Sequence, residues 1–113
     1  MQAARRCAAE THASVRRLNG LVVDALLAAG VPAAGVSPLG CWTTSKRGIV
    51  CQETDCAVVR EILGAGLVPV IHGDVVRDTQ QSWAILSGDT ILARLCEVFQ
   101  PQLAVFMVSV SEG

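Results

Sequence analysis

Two short steps in this sequence place a carboxylate directly after a glycine: His72-Gly73-Asp74 and Ser87-Gly88-Asp89. Each follows a short apolar run, Leu67-Val68-Pro69-Val70-Ile71 in the first case and Ala84-Ile85-Leu86 in the second. A glycine at a strand end lets an anionic group approach the backbone closely. After Asp89 the apolar residues Ile91, Leu92, Leu95, Val98 and Phe99 fall at helical spacing. Ser87-Gly88-Asp89 is therefore a strand-to-helix turn. The first N–H groups of a helix lack intrahelical partners and sit at its positive end. The chemistry this suits is holding a phosphate. Asp89 cannot stabilise phosphate itself, because it is a like charge, and makes sense only as a partner of cations. Either step alone also reads as an ordinary turn with an N-cap. Two of them close together, both at strand ends, weigh toward a site.

The elements that must position these steps follow from periodicity. Residues 1–13 carry little signal. From Ser14 a helix is expected, with Val15, Leu18, Val22, Leu26 and Ala29 as its apolar stripe and Asn19 off it. Gly30 and Pro32 stop it. Residues 31–36 read as a strand, and residues 39–48 as a loop holding Lys46 and Arg47, a basic pair that could touch phosphate but is more commonly only solvated. A short extended piece at 49–51 precedes a helix from Thr54 or Asp55 to about Leu63, then the strand 67–71. Residues 73–86 form a hairpin-like excursion with a polar tip at 78–82, and the Gly88 helix follows. Residues 103–108 read as a final strand. Helices alternating with continuous apolar strands argue for an α/β fold with a parallel-type sheet covered on both sides. Ligands in such sheets sit at the carboxyl ends of strands, where His72-Gly73-Asp74 lies.

Bulk properties narrow the function. The chain has 113 residues, enough for one small domain and too few for two. It is 51% hydrophobic and 17% charged, richer in core than so short a chain needs. That composition is expected of a piece from the interior of a larger α/β domain. A net charge of −1 gives no reason to expect nucleic acid or an anionic membrane as partner. No apolar stretch is long enough to span a bilayer, since the one after Leu21 is broken by Asp24, Gly30 and Pro32. The five scattered cysteines (Cys7, Cys41, Cys51, Cys56 and Cys96) fit a reduced, cytoplasmic compartment. Cys51 and Cys56 with His12 or His72 match no strong zinc spacing, so no metal-ligating residues are expected.

The run V-P-V-I-H-G-D-V-V-R-D, followed by I-L-S-G-D-T-I, resembles the isopentenyl phosphate kinases of the amino acid kinase family. The resemblance extends upstream through Leu18-Asn19, Val31-Pro32-Ala33 and Ser37-Pro38, and on into L-A-V-F-M-V-S-V. It covers most of residues 14–110, as the central portion of such a kinase domain. It implies an αβα sandwich, here incomplete at both ends. It implies ATP-dependent phosphorylation of isopentenyl phosphate to isopentenyl diphosphate, with Mg²⁺, in isoprenoid biosynthesis. Residue by residue it makes Gly88 a substrate-phosphate contact and Asp89 the residue that holds catalytic lysines. His72, Gly73 and Asp74 become substrate-side neighbours, and Ser109 stands where the family has its nucleotide-side Asp.

The family's Lys- and Gly-rich opening segment, and its His near the start, match nothing before residue 14. Of nine basic residues eight are Arg, and Lys46 is at no catalytic position of the family. The isolated chain is therefore expected to be inactive as a kinase. Two other readings stand beside it: a non-catalytic phosphate-binding or homodimerising module derived from such a kinase, with residues 15–29 as the pairing face, and an unrelated α/β domain whose Gly-Asp steps are only turns.

Overall fold

The computed structural model describes residues 2–46, 48–50 and 53–110. Their order is α1 (Gln2–Ala28), β1 (Ala33–Val36), β2 (Thr43–Ser45), β3 (Gly48–Val50), α2 (Glu53–Gly64), β4 (Val68–Ile71), β5 (Asp74–Asp78), β6 (Ser82–Leu86) and α3 (Gly88–Phe99). The fold is α/β, with one parallel and one mixed sheet.

Helix α1 begins twelve residues before the expected Ser14. Its first half has no apolar period, but Ala3, Ala4, Ala8 and Ala9 are the best helix formers. Arg6 Nε also donates to Glu10 Oε1 at 2.9 Å, one turn on. Helices α1 and α2 end alike. At Gly30, with φ 87°, the amide bonds the Leu27 carbonyl and the Val31 amide bonds Leu26. At Gly66, with φ 80°, the amide bonds Leu63 and that of Leu67 bonds Ile62. Both are Schellman stops, and each releases the chain into a strand of the same sheet. Strands β1 and β4 are parallel, with Ala33 opposite Val68 and Val36 opposite Ile71.

The second sheet has the order β3-β2-β5-β6, with β2 parallel to β5 and the outer pairs antiparallel. The expected loop at 39–48 thus contains β2 and the start of β3. Thr43, Thr44 and Ser45 carry no apolar alternation, so only pairing with β5 reveals them. The β5–β6 hairpin agrees with the expected excursion.

Three further expectations are corrected. Residues 103–108 form no strand and are exposed; among the described residues no neighbouring edge pairs with them. Asp55 does not cap α2 but lies inside it, its carboxylate accepting from Arg94 Nε of α3 at 3.0 Å. Asn19 is the one buried residue of α1. It faces β4 and donates to the Val70 carbonyl at 3.0 Å. The inward face of α1 runs through Val15, Asn19, Val23 and Leu26, while Leu18 and Leu21 are 64% and 67% exposed. The core gathers Trp42, Cys56, Val76, Leu86 and Ile91, with Leu95, Val98 and Phe99 of α3 against it. The α3 helix that carries Gly88 and Asp89 is thereby fixed to the mixed sheet. Cys51 and Arg47 lie outside the described residues.

Candidate functional site

The two Gly-Asp steps meet in space. A Cβ on Gly73 would lie 3.0 Å from the Leu86 carbonyl oxygen and 3.2 Å from the Gly88 amide nitrogen. The backbone after β4 therefore rests against the turn between β6 and α3, a contact that any side chain at residue 73 would have to push apart. At Gly88, by contrast, a Cβ would meet nothing within 4 Å. That side of the turn is open.

Ser87 caps α3. Its hydroxyl oxygen accepts from the Thr90 amide at 3.3 Å and lies 2.9 Å from Thr90 Oγ1. The Ile91 amide bonds the Ser87 carbonyl at 3.1 Å. The amides of Gly88 and Asp89 are left without intrahelical acceptors, beside open space. Asp89 is exposed in the first turn.

Asp74 is buried, and its side chain is the hub of the neighbouring strand end. Oδ1 accepts from the Val75 amide at 2.8 Å. Oδ2 accepts from Ser37 Oγ at 2.7 Å and lies 2.6 Å from His12 Nδ1. His72 Nδ1 donates to the Gly73 carbonyl at 2.9 Å and stands 3.9 Å from Asp74 Oδ2. Among the described residues, its buried Nε2 has no hydrogen-bond partner. A carboxylate with three donors is well compensated for burial, and it ties β1, α1 and β5 into one strand-end cluster.

Two cavities flank this cluster, and a third lies on the turn before α3. One of about 370 Å³ lies between α1 and β4, lined mostly by apolar side chains, with Asn19, His72 and Gly73. Another, of about 310 Å³, has His12, Arg5 and Trp83 on its walls. A polar cleft of about 310 Å³ brings Lys46 and Thr44 to the Ser87 and Thr90 side of the α3 turn. Lys46, treated as a solvated loop residue from the sequence, thus lines the same cleft as Ser87 and Thr90.

The structure brings together five of the residues singled out from the sequence: His72, Gly73, Asp74, Gly88 and Asp89. Ser109 is not with them; it lies in the exposed stretch after α3. His12 and Ser37 were not singled out as site residues. Only their convergence on Asp74, across 62 and 37 residues of chain, gives them significance. Among the described residues no group of three or more His, Cys, Asp or Glu could hold a metal ion. Cys56 is buried in the core, and burial, with the hydrogen bond and charge of Asp55, pushes its thiol up to about 11. It is neither ligand nor nucleophile.

Residues 1–112 match the amino acid kinase family. The chain belongs to that family. Its similarity is to isopentenyl phosphate kinases in particular. The Arabidopsis thaliana enzyme is 42% identical over 101 residues, covering 88% of this chain and 30% of that protein. The Methanocaldococcus jannaschii enzyme is 31% identical over 101 residues, 89% of this chain and 37% of that one. A solved structure of isopentenyl phosphate kinase superposes with a TM-score of 0.80 at 32% identity, covering 87% of this chain and 39% of its own. The chain thus spans about a third of the length of these relatives. No described helix is long and apolar enough to cross a membrane.

Proposed function

We propose that this chain forms the acceptor side of an isopentenyl phosphate kinase. In that role it holds isopentenyl phosphate while the γ-phosphoryl group of ATP is transferred to it, in isoprenoid biosynthesis within the cytoplasm. The observation that carries this reading is the junction of Gly73 with the Gly88 turn. It sets unpaired helix-terminal amides beside a buried polar strand end and an apolar cavity. Phosphoryl transfer is mostly positioning and charge neutralisation, and an acceptor site needs little more than this. The amides of Gly88 and Asp89 suit the acceptor phosphate, and the apolar wall between α1 and β4 suits a short branched hydrocarbon. His72, Gly73 and Asp74 shape the strand end behind them. The role for Asp89 is to orient cations that Lys46 alone does not supply.

Binding and turnover therefore separate. Calorimetric titration with isopentenyl phosphate is expected to show binding to the wild-type chain, and none to Gly88→Trp. The indole has open space to enter, so it blocks the ligand and leaves the fold intact. With ATP, Mg²⁺ and isopentenyl phosphate, the 113-residue chain is expected to give no isopentenyl diphosphate. Nucleotide contact at Ser109 is expected to be absent for the same reason, since that residue sits in an exposed, unpaired stretch. Equal binding by wild type and Gly88→Trp would remove the acceptor-site reading, and turnover by the chain alone would remove the division of labour.

A second reading, a homodimerising module, has one observation in its favour. The outer face of α1 exposes Leu18, Leu21 and Leu27. Sedimentation equilibrium decides it: a strict monomer at high concentration ends that reading.

A further inference from the structure

We propose that the far end of the β5–β6 hairpin and the start of α1 form a binding site for a phosphate monoester that carries a flat ring. The inference goes beyond the acceptor-site reading and stands without it.

Arg77 of β5 pairs with Trp83 of β6. Residues directly opposite in an antiparallel pair share a face and lie within side-chain reach of one another. Val76 and Asp78, on either side of Arg77, are buried, so Arg77 is on the other face and is exposed. Trp83 is 43% exposed. Arg5 reaches the same place from α1, which the contact of His12 with Asp74 holds against β5. Arg5, Arg77 and Trp83 line a cavity of about 490 Å³, with Thr79, Gln80 and Ser82 at the hairpin tip. That size lies within the range of small-molecule sites, about 300–1,000 Å³.

The charges on this cavity are unbalanced. Among the described residues neither Arg5 nor Arg77 has an ion-pair partner, whereas Arg6, next in the chain, is paired with Glu10. Asp78 is the one carboxylate among the described residues of the cavity wall. It is 3% exposed, and its oxygens already accept from the Thr44 hydroxyl and from the amides of Gln80 and Gln81. Two guanidinium groups therefore share one space with no anion between them. An arginine fork matches a phosphate group in both shape and charge. A phosphate monoester carries close to two negative charges above about pH 7. The exposed indole supplies the second element of recognition, a flat face on which a ring attached to the phosphate can stack. An ester with a small aliphatic group meets the arginines and gains little from the indole. The hydroxyls of Thr79 and Ser82 and the amide of Gln80 can donate to the ligand's remaining oxygens. The ligand class is therefore an aromatic phosphate monoester.

Phenyl phosphate, with methyl phosphate as the ringless comparison, tests this on the full chain at about pH 7.5. The readout is the pair of indole N–H signals in ¹H–¹⁵N spectra, one from each tryptophan, with Trp83→Leu to assign them. Phenyl phosphate is expected to move the Trp83 signal and to leave that of Trp42, which is 2% exposed, in place. It is expected to bind about tenfold more tightly than methyl phosphate. Arg77→Gln is expected to weaken it about tenfold, the scale of one charged hydrogen bond. Arg77 is exposed, so its replacement leaves the core alone. Equal affinity for the two esters would overturn the proposal, because the indole would then contribute nothing. Undiminished binding to Arg77→Gln would overturn it as well. If phenyl phosphate shifts the Gly88 and Asp89 amides while the Trp83 signal stays still, the inference falls and the acceptor-site reading is untouched. The comparison of the two esters on wild type decides the matter even if a variant fails to fold.

Discussion

A methyl group on Gly73 would press on the Leu86 carbonyl and the Gly88 amide, both backbone atoms that cannot swing away. Gly73→Ala is therefore expected to cost about 1–3 kcal/mol, the usual range for overpacking, read as a lower urea midpoint at unchanged slope. Gly88→Ala, with open space around it, is expected to change the midpoint little. The two glycines are indistinguishable in the sequence, where both follow an apolar run and precede Asp. Their place at strand ends was legible there; which of the two is packed and which is open was not, because that depends on a contact across the hairpin. Asp78 offers a second check. The Thr44 hydroxyl, the Gln80 amide and the Gln81 amide hold its carboxyl below the usual carboxylate value of 3.8. A depressed native value means the carboxylate stabilises the fold above the unfolded-state value and loses that contribution as pH falls through the native one. Asp78→Asn should thus be less stable than wild type by a constant margin above about pH 5, with the gap closing below about pH 4. Urea titrations across that range measure it, and a gap that persists undiminished below it would contradict the assignment.

At the scale of elements, α1 shows why periodicity alone pointed to a face rotated from the packed one, sharing only Val15 and Leu26 with it. The apolar stripe through Leu18 and Val22 is the more hydrophobic side, yet the helix turns Asn19 to the sheet. Gly35 of β1 makes this workable, since a Cβ there would lie 3.1 Å from the Asn19 amide nitrogen. The amide satisfies the Val70 carbonyl on β4, which would otherwise be buried by the helix without a partner. Asn19→Leu would follow the sequence pattern and lose that bond. It is expected to destabilise by about 1–3 kcal/mol, measured by chemical denaturation; a stabilised variant would show that the stripe had been read correctly. The helix ends at Gly30 and Gly66, the β5–β6 hairpin and α3 were legible, because glycine stops and apolar periods are local signals. Strand β2 was not, although the extended piece at 49–51 anticipated part of β3. The residues of β2 are chosen by neighbours, Arg77 and Asp78 of β5 opposite Thr43 and Thr44, and no window of sequence contains that pairing.

Across the whole molecule, the apolar residues that the composition promised as core are in large part on the surface. Leu18, Leu21 and Leu27 line the outside of α1, and Leu103, Val105, Phe106, Met107 and Val108 are exposed after α3, Met107 at 92%. The β1–β4 sheet has two strands, so each has a free edge among the described residues. Free edges and a continuous apolar segment are mutually attractive, and a chain that offers both pairs with whatever presents the other. The 113-residue chain alone is expected to associate as its concentration rises and to bind a hydrophobic dye. It should also melt over a broad range, because a two-stranded sheet adds little cooperativity. Sedimentation velocity over a tenfold concentration series, with thermal melts followed by circular dichroism, tests this. Replacing Leu103 and Met107 with lysine should suppress the association without moving the melt, since neither side chain is packed. A soluble monomer with a sharp two-state transition would mean that the exposed residues find cover within the chain itself.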